Sequence, residues 1–250
     1  MADTPGGTDY GLLPRERSFS QSLPAFLFPY VAYVALASLP QRFLSPLLSD
    51  CLRFAVVAAL LWAFRRSYRF GPRLRPGQIA IACAAAPAAL AVWVVSYRLS
   101  LALPWWQSHL ASAAAAKPSD AYFVLRTLNS VFLVPIFEEL FCRAWLGELL
   151  FGLPASPGGF SARLGHRMDD HPVALANPPL SRLSAWGCAL VFTIGHNASA
   201  WIPAMIYFAG TTWIYRRTRS FRICMLIHGL VNLGIAGLVW ALPELRFLWF

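Results

Sequence analysis

Long apolar runs alternate with short polar connections along the whole chain, and the runs are the length of membrane spans rather than of core strands. Read for the roughly 20 apolar residues that cross hydrocarbon as a helix, the sequence predicts spans at Leu23 to Leu39, Leu47 to Phe64, Gly77 to Tyr97, Ala121 to Phe151, Leu183 to Ser199, Trp201 to Tyr215 and Cys224 to Leu242. The expected fold class is all-α, a polytopic transmembrane helical bundle of about seven spans, within a range of six to eight. The fourth run would make about 45 Å of helix. It is therefore expected to tilt, to bend at Pro135 or to run out along the cytoplasmic surface.

The polar connections orient this bundle. Arg65 to Pro76 and Arg216 to Arg222 are short and strongly basic, and such connections stay on the cytoplasmic side. The expected order is a cytoplasmic tail at 1–22, N-terminal helices at 23–120, a core at 121–242 with a cytoplasmic loop at 152–182, and a tail at 243–250. The loop holds Pro154, Pro157, Pro172, Pro178 and Pro179 and is expected to have little regular structure. His166, Asp169, Asp170 and His171 within it read first as solvated loop residues and only second as a metal site. Trp105 and Trp106, ahead of the alanine-rich Ala111 to Ala116, fit an interfacial belt. The extreme N-terminus carries acid before base, unlike a cleaved signal, so the first span is expected to remain as an anchor. The location that follows is a cell membrane, inner or plasma, crossed many times, with the N-terminus in the cytoplasm.

Composition agrees. The chain is 58% hydrophobic and 13% charged, with a mean hydropathy of +0.53, far from an ordinary soluble domain. A net charge of +10 would suggest nucleic acid in a soluble protein. Here it places arginines beside anionic lipid, and nucleic acid is not an expected partner. The five cysteines, Cys51, Cys83, Cys142, Cys188 and Cys224, lack Cys-x-x-Cys spacing and read as packing residues.

Against that apolar background the charged and polar residues at membrane depth carry the chemistry, because such groups are costly there unless paired or functional. Asp50 and Arg53 are three apart and read as a local ion pair. Glu138, Glu139 and Arg143 follow Pro135. Glu139 and Arg143 are four apart and meet on one helical face, which leaves Glu138, rotated by about 100°, as the better candidate base. His196 closes Phe192-Thr193-Ile194-Gly195-His196, and His228 and Asn232 share a face of the last span. Singly, each histidine reads as a helix-to-helix hydrogen bond; with the glutamates, they read as a site. In the expected topology His196 lies nearer the outer face than His228, so its helix must tilt or end early to bring them together.

These residues resemble the motifs of the CAAX-protease and bacteriocin-processing family (CPBP, or Abi) of intramembrane proteases, which includes the type 2 CAAX prenyl endopeptidases. Glu-Glu-x-x-x-Arg is matched by Glu138, Glu139 and Arg143, Phe-x-x-x-His by Phe192 and His196, and His-x-x-x-Asn/Asp by His228 and Asn232. The likeness runs from Ala121 to Gly237. It implies a glutamic-type endopeptidase in which Glu138 with His196 activates a water, while His228 and Asn232 stabilise the oxyanion and Glu139, Arg143 and Phe192 support them. No cofactor is expected. Zinc held by Glu138, His196 and His228 is the lesser alternative, disfavoured because Arg143 beside Glu139 repels a cation.

The implied partners are membrane lipid and a protein or peptide substrate with a hydrophobic or lipidated segment, a C-terminal sorting signal among the candidates. The sequence lacks His-Glu-x-x-His, Gly-x-Gly-Asp and Gly-x-Ser-Gly, the marks of zinc, aspartyl and serine intramembrane proteases. Two other readings stay open: a non-proteolytic immunity or scaffold factor of the same fold, and a small proton-coupled transporter using Glu138 and His196 as a relay.

Overall fold

The computed structural model describes residues 19–39, 44–68, 70–103, 119–156, 158–170 and 179–248. The tail before Phe19, the Trp105-Trp106 pair with Ala111 to Ala116, and His171 lie outside the described residues. Among the described residues the elements are helical and none is a strand, so the expected all-α class holds. Three helices, α1 (Phe19–Ala37), α2 (Pro46–Ala63) and α3 (Pro76–Leu101), precede a long rod, α4 (Asp120–Ala155). Then come α5 (Phe160–Asp170), α6 (Arg182–Ile194), α7 (Trp201–Thr218) and α8 (Phe221–Ala241). A 3₁₀ turn at Pro243–Leu248 packs back on α8.

Local chemistry sets several of these boundaries. The hydroxyls of Ser45, Ser119 and Ser181 accept the N–H groups of Leu48, Tyr122 and Ser184, capping α2, α4 and α6. Gly195 ends α6 and sits where a Cβ would collide with the Tyr30 hydroxyl of α1. The span expected to reach Ser199 therefore stops at Ile194, the early end that His196 requires.

Among the described residues five helices, α1 to α4 and α8, are long and apolar enough to cross a membrane. α6 has 13 residues, short of a full span, and α7 carries Arg216 and Arg217 in its last turn. α6 packs between the C-terminal part of α4 and α7, α3 lies against α7 and α8, and α1 lies along α2. Trp62, Leu99, Trp186, Trp213 and Trp240 are all exposed, whereas Asp50, Glu139 and Arg143 are buried. That inversion suits a molecule whose solvent is hydrocarbon.

The 152–182 connection corrects the sequence reading: it holds a 3₁₀ turn, Leu153–Ala155, and the 11-residue α5. The prolines flank Phe160–Asp170 and none falls inside it. Leu164 and Met168, four apart, pack on the core while Arg163 and Asp169 fall on other faces of the helix.

The rod α4 does not bend into two helices at Pro135. It stays continuous and widens into π turns at Asn129–Leu133 and Leu140–Leu146, which flank the glutamate pair. The first π turn has an evident cause. Proline has no N–H and leaves a carbonyl on the preceding turn without its donor, and an extra residue in the turn relieves the clash. In the widened turn the Val134 N–H bonds to the Asn129 carbonyl. The Ser130 carbonyl accordingly faces Pro135 and is left for another donor.

Helix α8 crosses α4 at this place. A Cβ on Gly229 would stand 2.8 Å from the Val131 carbonyl oxygen. Gly229→Ala is expected to push α8 from α4 and destabilise the chain by about 1–3 kcal/mol, read as a lower Tm of the purified protein in detergent. An unchanged Tm would show that the helices do not approach so closely.

Candidate active site

The glutamate pair sits between the two π turns, where Glu138 is 8% and Glu139 1% exposed. Arg143, fully buried, forms an ion pair with Glu139 one turn away, as the i, i+4 spacing requires. Its guanidinium also donates to Thr211 Oγ1 at 2.6 Å and lies 4.0 Å over the Phe208 ring, so it bolts α4 to α7. Thr211 and Phe208 were not singled out in the sequence, where they look like ordinary residues of an apolar helix.

His228 on α8 stands against both carboxylates. Its Nε2 is 3.8 Å from Glu138 Oε2 and its Nδ1 is 3.8 Å from Glu139 Oε1. The two glutamates straddle one imidazole, even though the 100° rotation sends their side chains apart. Tyr207 of α7 approaches the same imidazole, with ring centroids 5.5 Å apart. Glu138 Oε2, Glu139 Oε1, His228 Nδ1 and the Tyr207 hydroxyl all lack a hydrogen-bond partner among the described residues. Polar groups so buried and so unspent mark a place prepared for a polar guest.

His196 comes from the opposite wall, on the turn just past α6. Its Nδ1 lies 2.8 Å from the Phe192 carbonyl oxygen. That contact fixes Nδ1 as the protonated nitrogen and leaves Nε2 with its lone pair, the form a base needs. Phe192 acts twice, since its ring also lies tilted against His196 at 4.7 Å and edges His228 at 5.9 Å. On the far side, Trp93 of α3 lies 5.9 Å from the His196 ring.

Asn232, one turn beyond His228, donates from Nδ2 to the Ser130 carbonyl at 2.7 Å. This is the carbonyl that Pro135 leaves unpaired. The proline thus explains how the asparagine is held, with one amide N–H spent on the anchor and one remaining.

Glu138, His196, His228 and Asn232 all line one cavity of about 260 Å³. Glu139, Arg143 and Phe192 stand behind it. Tyr207 and Trp93 also line it, as do Arg53 and Arg126. No spacing in the sequence could have revealed these four, because each comes from a helix outside the motif pattern or, for Arg126, from a turn ahead of it. Asp50 and Arg53 do form the expected ion pair, but Arg53 reaches the cavity as well.

No group of three His, Cys, Asp or Glu side chains has metal-site geometry among the described residues. In α5, His166 and Asp169 likewise form no such group.

Residues 120–234, just under half the chain, match the family model described as Type II CAAX prenyl endopeptidase Rce1-like. Comparison with curated proteins and with solved structures gives no match. The matched segment holds Glu138, His196, His228 and Asn232, so over this part the chain is similar to the type II CAAX prenyl endopeptidases, and its long apolar helices are those of a multi-pass membrane protein.

The buried pair yields a stability test. Arg143→Met leaves Glu139 charged and unpartnered, which is expected to cost about 3–5 kcal/mol. Glu139→Gln combined with Arg143→Met removes both charges and should recover much of that loss. Thermal unfolding of the full chain in detergent reads the difference; a double variant no more stable than the single one would mean that the pair is not what holds α4 to α7.

Proposed function

We propose that this chain, a CAAX-type intramembrane protease by family, hydrolyses peptide bonds by glutamate-activated water. The observation that carries the reading is the unpartnered Glu138 Oε2 beside His228, with His196 lining the same buried cavity. Acid, imidazole and amide groups drawn from α4, α8 and the turn after α6 are otherwise hard to account for in so apolar a bundle.

In this reading Glu138 takes a proton from a water held between it and His196 Nε2 as the water oxygen attacks the scissile carbonyl. The new C–O bond pushes negative charge onto the carbonyl oxygen. A ring N–H of His228 and the free amide N–H of Asn232 are the donors for that oxyanion, and both are held before substrate arrives, which is where such donors gain their worth. Collapse of the tetrahedral species breaks the C–N bond. Glu138 returns its proton to the leaving nitrogen, so the carboxylate ends as it began. Glu139 keeps its charge with Arg143 and orients His228 from behind.

The substrate class follows from the surroundings. A site walled by helices at membrane depth meets peptide segments that are apolar or lipid-bearing, and a C-terminal sorting signal is one such segment. The basic turns at Arg65–Ser67 and in the last turn of α7 support a cytoplasmic face for the connections after α2 and α7, and hence a cytoplasmic N-terminus in a cell membrane.

Glu138→Gln keeps the shape of the side chain and removes its basicity. Cleavage is expected to fall by about 10²- to 10⁴-fold with the protein still folded and present in membranes. The readout is the set of C-terminal peptides of membrane proteins in cells carrying either form. Identical peptide sets from the two would remove the protease reading and favour a binding or scaffold role.

A further inference from the structure

A buried site needs a route in. We propose that the substrate enters from the extracytoplasmic face, so that the peptides cleaved are exported segments of membrane-anchored proteins rather than cytoplasmic tails. The inference rests on the peptidase reading of the cavity and adds to it the side of entry and, with that side, the class of substrate.

One end of the bundle is packed shut. The basic connections after α2 and α7 meet there: Arg222 Nε donates to the Phe70 carbonyl at 2.8 Å, and the Phe70 and Phe221 rings stack at 6.1 Å. Arg216 Nη2 donates to the Leu180 and Ser181 carbonyls at 3.3 Å and brings the start of α6 to the same end. Near the start of α1, the Ala25 carbonyl accepts the Tyr68 hydroxyl at 2.6 Å and Ser22 Oγ accepts Trp145 Nε1 at 3.1 Å. Tyr68, Trp145, Tyr215 and Phe221 are all buried. None of the four lines the cavity.

The cavity runs the other way. Along α4 its wall passes from Glu138 through Val134 and Ser130 to Arg126, toward the start of the rod, and along α8 it passes from His228 through Asn232 to Ile235. Among the described residues no lining side chain comes from α4 after Glu138 or from α8 before His228. The far wall is Ala37 at the end of α1 and Leu248 beyond the end of α8. These helix ends are joined at the opposite face from the basic turns: Ser49 Oγ donates to the Leu36 carbonyl at 3.1 Å, and the Phe123 and Trp240 rings lie 5.1 Å apart.

The shortness of α6 accounts for the opening. Its 13 residues make about 20 Å of helix, against a hydrocarbon core of about 30 Å. Starting at the basic end, it stops below the opposite surface, and the turn that follows carries His196. That turn is held at its depth by the Tyr97 and Ser199 hydroxyls, 2.9 Å apart, and by Trp201 Nε1 donating to the His196 carbonyl at 3.0 Å. Gly195 and Asn197 line the cavity from this low rim and are exposed, while Glu138, Tyr207 and His228 are buried. Ile194, Trp201 and Ile202 flank the rim and are exposed, an apolar sill suited to a segment beside its own membrane anchor. With the basic connections in the cytoplasm, the rim faces outward. A segment that reaches it has already been exported.

The test is thiol labelling of the full chain in right-side-out and inverted membrane vesicles. The probe is a trimethylammonium methanethiosulfonate, and the exposed Cys51 and Cys83 are first replaced by alanine. Ser130→Cys reports the cavity wall, Ala37→Cys its mouth and Arg73→Cys the basic end. Because a fixed charge keeps the reagent out of hydrocarbon, Ser130→Cys and Ala37→Cys should react about ten-fold or more faster in right-side-out vesicles, and Arg73→Cys in inverted ones. Ala37→Cys, at an exposed position, guards against misfolding of the cavity variant. Faster reaction of Ser130→Cys in inverted vesicles, no reaction of it in either, or outward reaction of Arg73→Cys would overturn the proposal. The substrate class has its own readout: chain ends present with the native enzyme and lost with Glu138→Gln should map to extracytoplasmic segments, and ends in cytoplasmic segments would overturn it. Labelling does not read cleavage, so identical peptide sets from the two forms would fault the peptidase reading while labelling still decided which face is open.

Discussion

The arrangement depends on one buried ion pair. Arg143 is fully buried, and what makes its charge tolerable is Glu139 on its own helix with Thr211 and Phe208 across the interface. A guanidinium so placed admits few positions for α7 relative to α4. Once α7 is fixed, Tyr207 and Phe208 set the surface on which Phe192 and His228 pack. The pair need not add net stability over an apolar substitute. What it supplies is register, and register decides that Glu138 faces a cavity instead of lipid.

The second constraint is a missing hydrogen. Pro135 withholds a backbone N–H, the turn before it widens, and the freed Ser130 carbonyl takes the Asn232 amide. The same turn supplies Asn129 to the Asp50 carbonyl. A side chain that cannot donate therefore organises two neighbouring helices, α2 and α8, around the glutamates. Gly229 allows the contact because any Cβ there would strike the Val131 carbonyl.

Much of this was legible in the sequence, for a simple reason. In an apolar chain, polar residues at span depth are scarce, so Glu138, Glu139, Arg143, His196, His228 and Asn232 stood out without any structural knowledge. What stayed hidden was whatever depends on backbone irregularity or on unmarked residue types. The π turns change residues per turn over a few positions, which no periodicity over a whole span can reveal. Helix α5 was masked by the prolines on either side of it. The fifth span was drawn too long because Gly195 reads as a tolerable helical residue until Tyr30 is seen against it. Tyr207 and Trp93 look like ordinary aromatics of a bundle. Arg53 was correctly paired with Asp50, but a local pair gives no sign of which cavity it faces.

The central claim is that groups from α4, α8 and the turn after α6 act on a single carbonyl. A peptide phosphinate, whose tetrahedral phosphorus copies the hydrated amide, tests it most directly when bound to the full chain in nanodiscs and imaged experimentally. One phosphinate oxygen should lie about 3 Å from His228 and Asn232 and the other against Glu138 and His196. A phosphinate seated elsewhere, or one touching the histidines while Glu138 points away, would contradict the account.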